Sequence, residues 1–148
     1  MMYTENYKDL FDLTDDEWYL AHCISGDYAL GAGIAKTFND KYNMRERLHD
    51  LYPLRPWEKY ANVGKALLVN RVFNLVTKPR YFQKPTYESL QAALNDLLAQ
   101  CIALNVQFLA LPRIGCGLDK LDWKRVSRMI FDTFKGTDVR IMVCLGKK

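Results

Sequence analysis

Short apolar runs alternate along this chain with longer segments whose apolar residues recur at helical spacing, and this alternation constrains the fold more than any other feature. Trp18–Ile24, Lys65–Val69, Val72–Val76, Phe108–Leu111 and Val139–Leu145 read as strands. Gly31–Tyr42, Met44–Leu51, Thr86–Leu104 and a helix capped by Asp122 and running through Phe134 fill the intervals. In Thr86–Leu104 the apolar positions are Leu90, Ala93, Leu94, Leu97, Leu98, Cys101 and Ile102, one stripe facing a core, with Thr86 as N-cap and Glu88 in the first turn. In the last helix Val126, Ile130 and Phe134 point inward. Strands that are apolar throughout must be covered on both faces, because water would otherwise meet one of them. The pattern therefore predicts an α/β fold, a three-layer α/β/α sandwich with a mixed, mainly parallel central sheet. Ligands of such sheets sit beyond the carboxyl ends of the strands, where loops lead into helices.

With 148 residues, 49% of them hydrophobic, the chain can bury one proper core without metal or disulfide support, so 1–148 is expected to be a single domain. Net charge is +4, a mild bias toward an anionic ligand and far from the dense basic stripe of a dedicated nucleic-acid binder. The cysteines at 23, 101, 116 and 144 form no C-x-x-C pair, and His22 and His49 complete no metal-ligand spacing, so no metal and no cofactor are expected. Cys23, Cys101 and Cys144 read as reduced core residues, which implies a reducing compartment. Met1–Asp16 is polar and acidic, without the apolar region of a signal peptide, and no run is long enough to span a membrane. A soluble, cytoplasmic, monomeric protein is the expectation. The most loop-like stretch, Tyr52–Gly64, reads as a connection and not a boundary.

Two strand-to-helix loops are rich in glycine: Ser25-Gly26-Asp27-Tyr28-Ala29-Leu30-Gly31-Ala32-Gly33-Ile34-Ala35 and Pro112-Arg113-Ile114-Gly115-Cys116-Gly117-Leu118-Asp119. Glycine permits positive φ and close approach of the backbone to a ligand. The N–H groups of such loops, with the helix N-terminus behind them, form a cradle for negative charge. One G-x-G is no more than a tight turn, and neither loop has the spacing of a dinucleotide fingerprint or a P-loop. Two loops in matching contexts suit a diphosphate better than a single phosphate.

The residues themselves resemble a known family. His22-Cys23-Ile24-Ser25 with Gly31-Ala32-Gly33-Ile34-Ala35, then Val76-Thr77-Lys78 and Lys84-Pro85-Thr86-Tyr87-Glu88-Ser89-Leu90-Gln91, then Pro112 to Asp119, are similar to the motifs of macrodomains. Within that family they resemble the branch of O-acyl-ADP-ribose deacylases that act as terminal ADP-ribose glycohydrolases, and their bacterial relatives. The likeness runs from about Lys8 to Leu145.

The resemblance implies an ADP-ribose-binding hydrolase that removes mono-ADP-ribose from modified targets, most readily ester-linked Asp or Glu side chains. It implies ADP-ribose and ADP-ribosylated protein as partners, ADP-ribosylated DNA as a further candidate, and no membrane. Lys78 and Asp119 match the family's catalytic pair. A neutral amine can attack the open-chain aldehyde of the distal ribose and form a Schiff base, while a carboxylate accepts and returns protons. The other assignment has Asp119 activating water and Lys78 orienting the sugar; the sequence leaves both open. Ser25 with Gly31, Ala32, Gly33 and Ile34 would hold the distal ribose and one phosphate. Ile114, Gly115, Cys116, Gly117 and Leu118 would hold the other phosphate through backbone N–H groups. Asp9 and Leu10 match the short motif that recognises adenine, although Lys8 stands where a glycine usually precedes it. Cys144 stands where relatives often carry an aromatic that packs on the adenosine. No histidine is placed to activate Cys116, so it has a backbone role, and His22 is a packed strand residue. A non-enzymatic ADP-ribose reader, a glycohydrolase of DNA-base ADP-ribose and an O-acetyl-ADP-ribose deacetylase are the competing functions.

Overall fold

A computed structural model describes residues 1–13, 17–58 and 61–147. Residues 14–16, at the end of the polar N-terminal stretch, and 59–60, within the 52–64 connection, lie outside them. The strands are β1 (Met2–Asn6), β2 (Trp18–Ser25), β3 (Ala66–Val69), β4 (Val72–Lys78), β5 (Phe108–Leu111) and β6 (Arg140–Cys144). The helices are α1 (Gly33–Tyr42), α2 (Met44–Leu51), α3 (Tyr87–Ala103) and α4 (Trp123–Phe134), with short 3-10 turns at Leu10–Asp12 and Pro56–Glu58. One sheet has the order β1-β6-β5-β2-β4-β3, with every pairing parallel except the β3–β4 hairpin. The mixed, mainly parallel α/β/α architecture expected from the sequence is thus the one found.

Period-2 alternation on β4 divides the core in two. Phe73 and Leu75 face Leu90, Leu94 and Leu97 of α3 and Val126, Ile130 and Phe134 of α4. Val72 and Val76 face Phe38 of α1 and Met44 and Leu48 of α2. Asn74 lies between Val72 and Val76 on this second face and is fully buried. Its Nδ2 donates to Leu67 O at 3.1 Å, and its Oδ1 meets His22 Nε2 at 2.6 Å. The amide orientation leaves Oδ1 as an acceptor, so His22 Nε2 carries the proton. The His22 ring stacks on Phe38 with centroids 4.0 Å apart. Burial holds the imidazole neutral, down at about 4 from the usual 6.5, against the opposing effect of the Asn74 bond.

Between pH 6.5 and 4 the unfolded chain binds a proton on His22 that the folded chain refuses, so acidification favours unfolding. Unfolding free energies from urea melts are expected to fall across this window, by on the order of 3 kcal/mol in full. His22→Gln should flatten that part of the profile; an unchanged slope would mean other groups set it.

Helix α3 starts as read. Thr86 accepts from Ser89 N at 3.0 Å while Ser89 Oγ takes the Thr86 N–H at 3.1 Å, a reciprocal box that satisfies two end donors. Thr86→Ala is expected to cost about 1 kcal/mol and to lower the melting temperature by about 2–4 °C, measurable by calorimetry.

Four sequence readings need correction. Strand β1 was not expected; it is a short edge strand with one neighbour, so its residues are mostly exposed and carry no apolar run. Ile102 is 64% exposed, because one residue past Cys101 is a rotation of about 100° off the buried stripe. Asp122 occupies the N-cap of α4 but its side chain makes no cap bond. Cys23 is only partly buried and lines a groove at the carboxyl ends of the parallel strands. Cys101 and Cys144 are buried, and all four thiols are free.

Candidate active site

Because β2, β4, β5 and β6 run parallel, their carboxyl ends open on one edge of the sheet, and a groove of about 1120 Å³ lies there. That volume admits a ligand of nucleotide size. Strand β2 ends in an irregularity: Ile24 stands opposite Val76, but Ser25 stands opposite Lys78, so Thr77 is passed over. Gly26 N then donates to Lys78 O at 2.8 Å. A side chain at Gly26 would meet Pro79 O at 3.1 Å and Asn62 Oδ1 at 3.0 Å, so the close approach of these backbones requires glycine.

The first loop is held by many bonds. Tyr28 and Leu30 have φ of 56° and 44°, a region non-glycine residues seldom adopt. Tyr28 is buried, and its hydroxyl donates to Tyr52 O at 2.9 Å and accepts from Asn62. Arg45 reaches Tyr28 O and Ala29 O from α2. The loop delivers the chain to α1, whose N-cap is Ala32, without a side-chain cap bond, and whose first turn has no acidic residue. Its end N–H groups therefore face the groove with the positive end of the helix dipole.

The second loop is pinned by Leu121 N to Gly115 O at 2.8 Å and by Lys84 Nζ to Leu118 O at 2.7 Å. Gly115 has φ +74°, and a Cβ there would lie 3.0 Å from Leu121 Cδ1. Between the loops, Lys78 Nζ and Asp119 Oδ1 are 2.6 Å apart, each side chain 15% exposed. The irregular end of β2–β4 and the second loop thus bring together two residues 41 positions apart in the chain.

The groove is lined by Ser25, Gly31, Ala32, Gly33, Ile34, Lys78, Ile114, Gly115, Cys116, Gly117, Leu118 and Asp119, which the sequence singled out. Asp9 and Leu10 do not line it. Leu10 is buried in the α1–α2 layer, leaving only main chain to offer, and Asp9 accepts from Phe11 N at 3.0 Å within the 3-10 turn. Its neighbour Lys8 meets the edge of the groove, accepting at its carbonyl from the N–H of Gly146, a lining residue, at 3.1 Å. The Cys116 thiol is pushed up to about 11, by burial first and Asp122 second, and Cys23 to about 12, by burial and then Asp119. Both are protonated thiols at neutral pH and poor nucleophiles.

Sequence reasoning missed Tyr81, Lys84 and Trp123 as lining residues. Tyr81 and Lys84 lie just past the V-T-K motif, and an aromatic at 81 was the available signal. Trp123, whose indole N–H donates to Glu5 at 3.3 Å, depends on β1 and had none.

Residues 22–130 match the macro domain family. The chain belongs to the macrodomain family. It is 42% identical over 125 residues to the human ADP-ribose glycohydrolase OARD1, covering 84% of this chain and 79% of that one. It is 31% identical over 90 residues to an uncharacterized protein 032R of Invertebrate iridescent virus 6, covering 59% of this chain and 90% of that one. Among solved structures, the macrodomain of Mycobacterium tuberculosis DarG superposes with a TM-score of 0.76 at 24% identity, over 95% of this chain and 97% of that one. Thermosipho africanus DarTG, solved in complex with ADP-ribose, gives 0.68 at 15% identity over 87% of this chain and 38% of that one.

Proposed function

We propose that this macrodomain removes mono-ADP-ribose from modified targets, ester-linked aspartate and glutamate side chains foremost, with Lys78 and Asp119 as the working pair. Hydrolase activity is supported by kinship to a protein named for ADP-ribose hydrolysis, at 42% identity over most of both chains. The observation that carries the mechanism is the 2.6 Å Lys78–Asp119 pair at the groove, beside an uncapped helix N-terminus. In this reading the diphosphate lies on the two loop backbones and the distal ribose between Ser25 and Lys78, with Asp9 and the Leu10 main chain toward the adenine.

Substrate entry separates the pair. Asp119 takes a proton from Lys78, and the freed amine attacks C1″, breaking the C1″–O bond and releasing the target's carboxylate; the ribosylamine opens to an imine, and water adds at C1″ to return the amine and free ADP-ribose. In the second route Asp119 takes a proton from water, which attacks the ester while Lys78 holds the sugar. The partners are ADP-ribose and ADP-ribosylated protein, and the working form is a single-domain cytoplasmic monomer.

The test is to incubate the protein with a peptide mono-ADP-ribosylated on glutamate and quantify released ADP-ribose. Release supports the reading. Binding of ADP-ribose without release from this peptide, from an ADP-ribosylated oligonucleotide or from O-acetyl-ADP-ribose would make the protein a reader instead.

A further inference from the structure

We propose that Asp27 is a positioning residue of this site, one that fixes the Ser25 hydroxyl and the Lys78–Tyr81 turn with a single carboxylate. The proposal rests on the hydrolase reading above. Asp27 Oδ1 accepts from Ser25 Oγ at 2.5 Å and from Ala29 N at 3.2 Å; Oδ2 accepts from Tyr81 N at 3.0 Å. Each bond holds a different part of the groove.

The Ser25 hydroxyl has one proton, and the short bond gives it to Asp27, as expected for a hydroxyl facing a carboxylate. Ser25 is 5% exposed and lines the groove, so what it offers a ligand is a lone pair. It can accept from a sugar hydroxyl but cannot donate to a phosphate. With the Asp27 charge behind it, this end of the groove disfavours phosphate, whereas the uncapped α1 N-terminus attracts it. The two together set the direction in which a ligand with a sugar at one end and a diphosphate at its middle can lie.

The Tyr81 bond acts on Lys78. Tyr81 is three residues past Lys78, and Lys78 O is already held by Gly26 N at 2.8 Å. Loop and strand end are thus stitched on both sides of residues 79 and 80. When a substrate breaks the Lys78–Asp119 pair, the side chain can move while its main chain stays. The Ala29 bond holds the turn between two left-handed residues, Tyr28 and Leu30. Asp27 itself makes its bonds within the protein, which is why its role is positioning and not catalysis.

Asparagine has one acceptor oxygen for these three donors, and its NH₂ would face at least one of them. Asp27→Asn is expected to lower kcat by about 10–100-fold while the Kd for ADP-ribose stays within about threefold. In a cycle with Ser25→Ala, the double variant should be no worse than about twofold below the poorer single, since both act through one bond. Amide exchange gives a reading free of turnover: Ala29 and Tyr81 should exchange at least about tenfold faster in Asp27→Asn, with the amides of β5 unchanged. Additive penalties, unchanged exchange at Tyr81, or kcat, Kd and melting temperature falling together would overturn the proposal. If the wild type releases no ADP-ribose, the hydrolase reading falls, and exchange with ADP-ribose titration alone decides the role of Asp27.

Discussion

Lys78→Ala and Asp119→Ala are each expected to reduce ADP-ribose release from a glutamate-linked substrate by about 10³-fold or more, while free ADP-ribose still binds within about threefold. A positioned acid–base group is worth about 10²–10⁴-fold, and loss of a covalent nucleophile at least as much. Binding should survive, because in the proposed reading the diphosphate lies on backbone N–H groups of the two loops and α1 and not on either side chain. Each single variant leaves its partner partly buried and unpaired, since both are 15% exposed. Thermal melts of both variants therefore accompany the assay, so that lost activity is not confused with lost fold. Lys78→Arg separates the two routes. Guanidinium keeps the charge but does not deprotonate in proteins, so it cannot form the imine. Retained release in Lys78→Arg would favour water activation by Asp119. Loss of release, with a cyanoborohydride-trapped adduct on wild-type Lys78, would favour the imine. Full activity in both alanine variants would refute the pair.

Phe38→Ala should have the largest effect on stability, about 3–5 kcal/mol. The ring is fully buried, stacks on His22 and meets Phe11 edge-on with centroids 4.8 Å apart. For a chain of this length such a loss lowers the melting temperature by about 10 °C. The effect should reach the groove, because Phe38 anchors the helix whose first turn lines it. ADP-ribose affinity should weaken well below the melting range. Water admitted beside His22 should also let its imidazole titrate nearer the ordinary value, weakening the acid sensitivity of stability. A melting temperature within about 2 °C of wild type would show that α1 is held mainly by other contacts.

The central layers were legible in the chain because their physics is local. Near-continuous apolar strands and the Leu90–Leu94–Leu97–Cys101 stripe each carry a period that names their element, and Thr86 announced its helix through side-chain chemistry. The edges were not legible. Strand β1 buries too little to need an apolar pattern and exists because β6 offers it a partner. At the groove, the two glycine loops could be singled out from composition and do line it, but Lys78 and Asp119 were paired only by resemblance, since nothing local connects positions 41 apart. Asp27 looks like an ordinary turn aspartate. Its reach to Tyr81 depends on the shifted register at the end of β2, a property of two strands together and of neither alone.

The pairing of β1 with β6 gives the molecule a particular order of assembly. Met2–Asn6 leaves the ribosome well before Arg140–Cys144, the strand it pairs with. Until β6 has emerged β5 has an open edge, and the end of the groove near Cys144 and Trp123 has no wall. A nascent chain synthesised as far as about residue 135 could therefore already hold Lys78 beside Asp119 and yet lack one side of the site. Such an intermediate would expose the free edge of β5, an unpaired strand edge of the kind on which chains aggregate, and pairing with β6 closes it.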